Sequence, residues 1–212
     1  MKKMNIGVLV SGNGSNLQAI IDRTNEKSFP AKVSTVISSK AQAYALQRAQ
    51  KHEIPCYAVR RKDFDSQASW EQRILQILHK HDVELIVLAG FNKILSASFV
   101  RKYRWRIINI HPSLIPAFCG KHFYGMKVHK AVIDSGVKIT GATVHFVTEK
   151  VDAGPIILQK AVQVKDCDTP ETLCERVLRV EHEILPEAVR LIAEEKIEVV
   201  GNRVNIKTEV RV

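Results

Sequence analysis

The amino-acid sequence predicts an α/β fold in which helices cover both faces of a mostly parallel sheet. Two patterns carry this prediction. In the first half of the 212-residue chain, short and continuous apolar runs alternate with segments of helical period. In the second half, strands of alternating polarity precede one long helical segment. No repeat or low-complexity linker separates these parts, so we predict a single domain over residues 1–212, with halves at 1–104 and 105–212.

Five strands and three helices are predicted between residues 6 and 110, in alternation. Short runs rich in Val, Ile and Leu are typical of strands that are buried on both faces. Because crossovers between parallel strands are right-handed, this order gives a doubly wound, Rossmann-like sheet. The predicted strands are residues 6–10, 33–37, 56–59, 84–88 and 106–110. The predicted helices are residues 16–23, 41–52 and 67–81.

The second half changes pattern. Apolar and polar residues alternate in its first strand, which is typical of antiparallel pairing. Pro170, directly after a capping residue, marks the start of a long helix. Gly201-Asn202 is typical of a hairpin turn. The predicted elements are antiparallel strands at 138–147 and 155–164, a helix from 168 to about 195, and a hairpin of 197–200 with 203–206.

The composition indicates an ordinary soluble globular protein, with 45% apolar and 25% charged residues. The net charge of +10 attracts anions, but the basic residues form short, scattered clusters without interleaved aromatic residues. We therefore expect small-molecule substrates and no nucleic-acid partner. No apolar stretch reaches membrane length, which predicts no membrane partner. Four cysteines without metal-binding spacing predict reduced thiols, no metal site and a cytoplasmic protein. For the oligomeric state we expect a monomer or homodimer.

Two polar side chains end the strand predicted at 106–110. Residues two apart on a strand point to one face, so Asn109 and His111 present an amide beside an imidazole. Pro112 ends the strand because it cannot donate to a sheet ladder. Such a pair suits addition to a carbonyl, where an oxyanion is held while a proton moves. Asp152 supplies a carboxylate that would orient the imidazole. Seen alone, the pair also fits a strand end that hydrogen-bonds the following turn.

A glycine-rich turn, Ser11-Gly-Asn-Gly-Ser-Asn16, lies between the first predicted strand and helix. Glycines let the backbone approach a ligand closely, and the free amides of a helix N-terminus favour an anion. The side chains of Ser15 and Asn16 could add donors. Leu17 replaces the third glycine of a dinucleotide fingerprint, and no Walker lysine follows, so a single phosphomonoester fits better. A tight turn with a helix cap is the equal alternative.

Two other features are candidates for ligand contact. Backbone groups of residues 92–95, after the strand at 84–88, could read a flat heterocycle, although a plain loop is the alternative. Glu181 lies on the apolar face of the long helix and needs a partner, either ribose hydroxyls or a structural arginine such as Arg104. The other histidines are interpreted as core or surface residues: His122, His129, His145 and His182.

Five segments carry a resemblance to a known family. They are Ser11-Gly-Asn-Gly-Ser-Asn16, Ala89-Gly-Phe91, Asn109-Ile-His-Pro-Ser113, Gly141-Ala-Thr-Val-His145 and Asp152-Ala-Gly-Pro155. Together and in this order they closely resemble the phosphoribosylglycinamide formyltransferases of purine biosynthesis, up to about residue 192. The Asn-x-His motif and the aspartate are shared by the wider family of formyltransferases that use 10-formyltetrahydrofolate. The glycine-rich turn at residues 11–16 narrows the resemblance to the phosphoribosylglycinamide formyltransferases.

The resemblance implies transfer of a formyl group from 10-formyltetrahydrofolate to the amine of 5′-phosphoribosylglycinamide, without a metal. It implies catalytic roles for Asn109, His111 and Asp152, and ribose contact by Glu181. It implies binding of the substrate phosphate by Gly14, Ser15 and Asn16. It implies folate binding by Asn92, Lys93, Ile94, Leu95, Asn109, Thr148, Val151 and Asp152. Residues 1–104 are then the phosphate-binding half, and residues 105–212 the catalytic and folate-binding half.

Four positions depart from the family pattern. Cys119 stands where many members carry proline, which predicts a less rigid loop. Asn92-Lys93 replaces the Met-Arg pair of some bacterial members, and Gln67 stands where some members direct an arginine toward the folate tail. We therefore expect altered affinity for the folate glutamate chain.

Three other functions fit parts of the pattern. A formyltetrahydrofolate hydrolase would use water in place of the amine, but that family usually has an N-terminal regulatory domain, for which we expect no room before Met4. A tRNA formyltransferase suits the basic charge but needs a C-terminal β domain, and only about 17 residues follow the long helix. A phosphosugar-binding module would not require a poised imidazole at His111.

Overall fold

The computed structural model describes residues 2–207. One sheet contains β1 (Met4–Val10), β2 (Ala31–Ser38), β3 (Cys56–Ala58), β4 (Leu85–Leu88), β5 (Ile107–His111), β6 (Ile139–Phe146) and β7 (Ile156–Gln163). A separate antiparallel hairpin contains β8 (Ile197–Val200) and β9 (Arg203–Ile206). The helices are α1 (Ser15–Thr24), α2 (Tyr44–Lys51), α3 (Gln67–Lys80), α4 (Ala97–Lys102), α5 (Met126–Asp134) and α6 (Pro170–Ala193), with a 3₁₀ turn at Arg61–Asp63.

The strands of the main sheet follow the order β3-β2-β1-β4-β5-β6-β7. The first five strands of the chain pair in parallel, whereas β6 and β7 are antiparallel to their neighbours. The predicted α/β fold, with antiparallel strands and a long helix in its second half, is confirmed. β2 and β3 lie on one side of β1 in the sheet, and β4 lies on its other side. The switch point of the sheet therefore lies between β1 and β4, where open α/β sheets bind ligands.

Helices cover both faces because the central strands are apolar on both sides. Val8 of β1 belongs to a buried cluster with Leu17 of α1, together with side chains of α2, α5 and α6. Its neighbour Leu9 points the other way and packs in a second cluster with Trp70 and Ile74 of α3, together with α4. None of the helices within residues 2–207 is long and apolar enough to cross a membrane.

The first residues of the helices differ in how clearly the sequence predicts them. Thr169 caps α6 through a capping box with Thr172, and Pro170 occupies the first turn, as the sequence predicts. By contrast, α2 begins at Tyr44, three residues later than predicted, because Ala43 has extended backbone angles and supplies no capping side chain. The short helices α4 and α5 were not predicted from the sequence.

Candidate active site

β5 ends in the two polar side chains predicted to share one face. Asn109 lies opposite His145 of β6, and His111 lies opposite Thr143. Residues directly opposite each other in an antiparallel pair point to the same side of the sheet. The pairing therefore gathers Asn109, His111 and His145 on one face, and both histidines are almost completely buried there.

Both ring nitrogens of His111 have defined neighbours. Nε2 lies 2.9 Å from the carbonyl oxygen of Phe118, and Nδ1 lies 3.7 Å from Oδ2 of Asp152. A carbonyl oxygen only accepts, so Nε2 carries a hydrogen and donates it to Phe118. Nδ1 is then the nitrogen that can take up or release a proton. Because 3.7 Å is too long for a hydrogen bond, Asp152 acts on the ring through its charge.

Asp152 reaches His111 through a tight turn after β6. Its φ of 50° lies in the left-handed region, which Asp tolerates better than most residues. The backbone N–H of Gly120 donates to Oδ2 of Asp152 at 2.8 Å and fixes the carboxylate. A Cβ at Gly154 would lie 1.8 Å from the carbonyl oxygen of Phe146, so only glycine fits this close approach. Local backbone geometry, rather than strand pairing, positions the carboxylate.

His145 has no predicted role, yet the structure places it in this group. Nδ1 lies 2.9 Å from the carbonyl oxygen of Phe146, to which it must donate. Nε2 therefore accepts from Nδ2 of Asn109 at 3.2 Å, and lies 3.7 Å from Oδ1 of Asp152. Burial lowers the pKa of His145, and the charge of Asp152 works against that shift. The neutral ring thus remains an acceptor for the Asn109 amide.

The geometry of Asn109 leaves one hydrogen for a ligand. Its amide nitrogen carries two hydrogens, and the contact with His145 uses only one. An amide donor, a proton-accepting nitrogen of His111 and the carboxylate of Asp152 therefore converge at the end of β5. Within residues 2–207, no group of three or more His, Cys, Asp or Glu side chains is placed to hold a metal ion.

The glycine-rich turn forms the start of α1, where the sequence places it. Gly14 is the N-cap residue, with a φ of 77° that favours glycine. Within residues 2–207, no side chain caps the helix, so the first amides of α1, from Ser15 onward, are free of side-chain acceptors. Such amides form a ready site for an anionic group.

Glu181 of α6 meets the glycine-rich turn through Asn16. Nδ2 of Asn16 donates to Oε2 of Glu181 at 2.6 Å. Arg104, the structural arginine considered as an alternative partner, instead places its guanidinium over the ring of Trp105 at 4.9 Å. Burial raises the pKa of Glu181 to about 7, and the hydrogen bond from Asn16 opposes that shift. Oδ1 of Asn16 is buried without a hydrogen-bond partner among the described residues, so the pair retains capacity for a ligand.

Hydrogen bonds join the loop after β4 to the glycine-rich turn. Oγ of Ser11 accepts from the backbone N–H of Asn92 at 2.9 Å. Oγ of Ser39 lies 2.7 Å from that same oxygen, and also donates to Oδ1 of Asn92 at 3.3 Å. These bonds hold the two loops on either side of the switch point. The predicted folate-binding residues of this loop divide into a buried Leu95 and exposed Asn92, Lys93 and Ile94, with Ile94 66% exposed.

The segment between β6 and β7 carries the other predicted folate-binding residues. Thr148 donates through Oγ1 to the carbonyl of Lys150 at 3.1 Å. Val151, next to Asp152, is 41% exposed. The segment reaches α4 through an ion pair between Glu149 and Arg101 at 3.6 Å. Because α4 directly follows residues 92–95, both predicted folate-binding segments border the same helix.

Comparison with known proteins identifies the family. Residues 4–189 match the family described as formyl transferase, and the chain belongs to that family. It is 40% identical to the phosphoribosylglycinamide formyltransferase of Bacillus subtilis (strain 168), a match that covers 90% of this chain and 94% of that protein. The predicted family resemblance is confirmed.

Two further comparisons agree. The crystal structure of glycinamide ribonucleotide transformylase 1 from Symbiobacterium toebii matches with a TM-score of 0.92 and 41% identity, over 97% of this chain and 95% of that chain. The trifunctional purine biosynthetic protein adenosine-3 of Bos taurus is 48% identical over 91% of this chain. That match covers only 18% of the bovine protein, so the chain spans under a fifth of the length of this relative.

Proposed function

We propose that this chain transfers the formyl group of 10-formyltetrahydrofolate to the amine of 5′-phosphoribosylglycinamide. The products are 5′-phosphoribosyl-N-formylglycinamide and tetrahydrofolate, and the step belongs to de novo purine (IMP) biosynthesis. The observation that carries this proposal is the convergence of Asn109, His111 and Asp152 at the end of β5. The match to a bacterial phosphoribosylglycinamide formyltransferase, over 90% of this chain and 94% of that protein, supports it.

The donor supplies an electrophilic formyl carbon, to which the amine adds. The formyl oxygen then gains negative charge, and Asn109 directs its remaining amide hydrogen at that oxygen. The attacking amine loses one proton and the departing folate nitrogen gains one, so a group that takes and returns a proton balances the reaction. Nδ1 of His111 fills this role, and Asp152 stabilises the ring while the proton is held.

The phosphorylated substrate is bound at the other end of the site. Its phosphate accepts from the backbone amides of Gly14, Ser15 and Asn16 and from the side chains of Ser15 and Asn16 at the start of α1. Its ribose hydroxyls bind Glu181, whose carboxyl has a single hydrogen-bond donor, Asn16, on the described part of the chain. This contact adds polar partners to a buried carboxyl that Asn16 alone satisfies only in part.

The folate donor fits the segments that border α4. The pterin is flat and partly apolar, and Ile94 and Val151 are large apolar side chains that remain exposed beside polar backbone. The proposed folate contacts are Asn92, Lys93, Ile94, Leu95, Asn109, Thr148, Val151 and Asp152. Asn109 and Asp152 then serve both folate binding and catalysis.

The same proposal covers the setting of the reaction. Residues 1–104 bind the phosphate, and residues 105–212 carry catalysis and folate binding, within one domain. The enzyme acts in the cytoplasm as a monomer or homodimer. Its partners are small-molecule substrates rather than nucleic acid or membrane, and the reaction uses no metal.

An amine-dependence assay tests this function. The purified chain is mixed with a 10-formylfolate analogue, with and without 5′-phosphoribosylglycinamide, and deformylation is followed by absorbance. We expect turnover only when both substrates are present, with the formylated amine identified by mass spectrometry. Deformylation without the amine would indicate a hydrolase and contradict the proposal. Turnover only with formyl-accepting Met-tRNA, or binding without turnover, would also contradict it.

A further inference from the structure

Arg48 of α2 makes three hydrogen bonds around the glycine-rich turn. Nε donates to the backbone carbonyl of Asn13 at 3.0 Å, and Nη2 donates to Oδ1 of the same residue at 2.9 Å. Nη1 donates to Oε1 of Gln18 on α1 at 3.3 Å. The guanidinium lies over the ring of Tyr44 at 4.9 Å, which restricts its position. Arg48 therefore connects α2 to both the turn and the helix that follows it.

These bonds leave the positive charge of Arg48 available. All three acceptors are neutral oxygens, so none of them cancels the charge. The guanidinium also lines a cavity of about 410 Å³, together with Ser15, Asp22 and His182. Burial lowers the pKa of His182, the positive charge of Arg48 lowers it further, and the negative charge of Asp22 opposes this shift, so both charges act at this cavity.

The bond to Asn13 has a direct effect on the next residue. The carbonyl of Asn13 and the N–H of Gly14 belong to one peptide group. A cationic donor on that carbonyl polarises the peptide and strengthens the N–H as a donor. A second contact fixes the turn against α2: the N–H of Ala45 donates to the carbonyl of Gly12 at 3.2 Å. There is no room for a side chain at Gly14, since its Cβ would lie 2.6 Å from that of Ala45.

We propose that Arg48 is a positioning residue for the substrate phosphate, acting through Asn13 and Gly14 rather than through the reacting atoms. It holds the turn in its binding conformation and places a positive charge behind the amides of the turn. This inference rests on the proposed function for the identity of the phosphorylated amine. The site that it describes requires only a phosphate group.

Steady-state kinetics of Arg48→Gln and Arg48→Lys test the role. We expect Arg48→Gln to raise KM for 5′-phosphoribosylglycinamide about tenfold, with kcat within about twofold, because ground-state binding of the phosphate is lost. Arg48→Lys retains the positive charge but not the planar guanidinium that bonds Asn13 at two atoms. Its KM should therefore lie between those of Arg48→Gln and the wild type. On the glycinamide riboside, which lacks phosphate, Arg48→Gln and the wild type should have equal kcat/KM. The matched control is Arg73→Gln, on α3 at the opposite face of the sheet. Its side chain is exposed and donates to Oε1 of Gln76 on the same helix.

An unchanged KM in Arg48→Gln would overturn the inference. An equal loss on the riboside and the phosphorylated substrate would also overturn it, since that indicates general damage to the fold. A separate readout uses inorganic phosphate alone, which should raise the thermal unfolding midpoint of the wild type and of Arg73→Gln more than that of Arg48→Gln. Equal responses would refute the inference. If the wild type does not turn over 5′-phosphoribosylglycinamide, the proposed function fails, and the phosphate measurement still decides the role of Arg48.

Discussion

Asn109 and His145 face each other across the β5–β6 pair, and a 3.2 Å hydrogen bond joins the amide to the imidazole. The Phe146 carbonyl holds a hydrogen on Nδ1 of His145, which leaves Nε2 as the acceptor. That acceptor decides which end of the Asn109 side chain faces His145. With the amide nitrogen on that side, its second hydrogen is directed into the site.

Replacement of His145 should therefore reduce turnover through Asn109. In His145→Leu, Nδ2 of Asn109 loses its acceptor and the amide is free to rotate. We expect kcat to fall by up to about 10²-fold, the cost typical of losing one oxyanion donor. KM for the phosphorylated substrate should stay within about twofold, because the glycine-rich turn is untouched. Steady-state kinetics on both substrates measure this split, and a kcat near that of the wild type would contradict it.

Removing the imidazole at His111 should affect the chemical step more strongly. His111→Ala deletes the only group at the end of β5 to which we assign proton transfer. We expect turnover to fall by about 10²–10⁴-fold, the range typical of general acid–base catalysis. Binding of 5′-phosphoribosylglycinamide, measured by calorimetry, should remain close to that of the wild type. Turnover close to the wild-type rate would refute the assigned role.

The sequence is sufficient to predict that Asn109 and His111 share a face, but not that His145 joins them. The two-residue period of a strand places Asn109 and His111 on one face, whatever the neighbouring strand. His145 lies on β6, and its contact with Asn109 depends on the pairing register between β5 and β6. That register follows a long connection, residues 112–138, whose path the sequence does not encode in any local pattern. The alternation of β6 shows that Thr143 and His145 share a face, but not which strand they meet.

The same limit explains why the sequence does not predict two short helices or the contact between Glu181 and Asn16. Ser96 caps α4, but its six residues are too few for a periodic pattern. α5 begins after Gly125 without a capping side chain, and it is also short. The position of Glu181 on an apolar helix face predicts that its carboxylate needs a polar partner, but does not identify that partner. Its actual donor, Asn16, lies 165 residues away in sequence, and only packing of α6 against α1 brings the two together.

Gly154 provides a structural test of the Asp152 turn. A methyl group at this position would lie 1.8 Å from the Phe146 carbonyl oxygen, so the turn must move away from β6. We expect Gly154→Ala to destabilise the fold by about 1–3 kcal/mol, the usual cost of overpacking. Since Asp152 lies two residues earlier, kcat should fall together with stability. Chemical denaturation and kinetics measure both effects. Unchanged stability with unchanged kcat would show that the close approach has no role in positioning the carboxylate.

Glu181 predicts how stability depends on pH. Burial raises its pKa from 4.5 to about 7 in the folded chain. Between these two values the folded chain binds more protons than the unfolded chain, so stability falls as pH rises. At about 1.4 kcal/mol per pH unit, the wild type should lose about 3 kcal/mol from this group over the window. Glu181→Gln cannot ionise, and its amide oxygen can still accept the hydrogen bond from Asn16.

The free energy of unfolding of Glu181→Gln should therefore rise relative to the wild type as pH rises, by up to about 3 kcal/mol between about pH 4.5 and pH 8. Urea unfolding of both proteins across this range measures the two free energies of unfolding. Subtracting one from the other cancels the contribution of the titrating groups that both proteins share. Glu183→Gln is the matched control: Glu183 lies on the same helix, is exposed and pairs with Lys160. Its stability should follow the wild-type curve with little change. Parallel curves for Glu181→Gln and the wild type would mean that the carboxyl of Glu181 titrates as it does in the unfolded chain, because burial without a pKa shift leaves stability independent of pH.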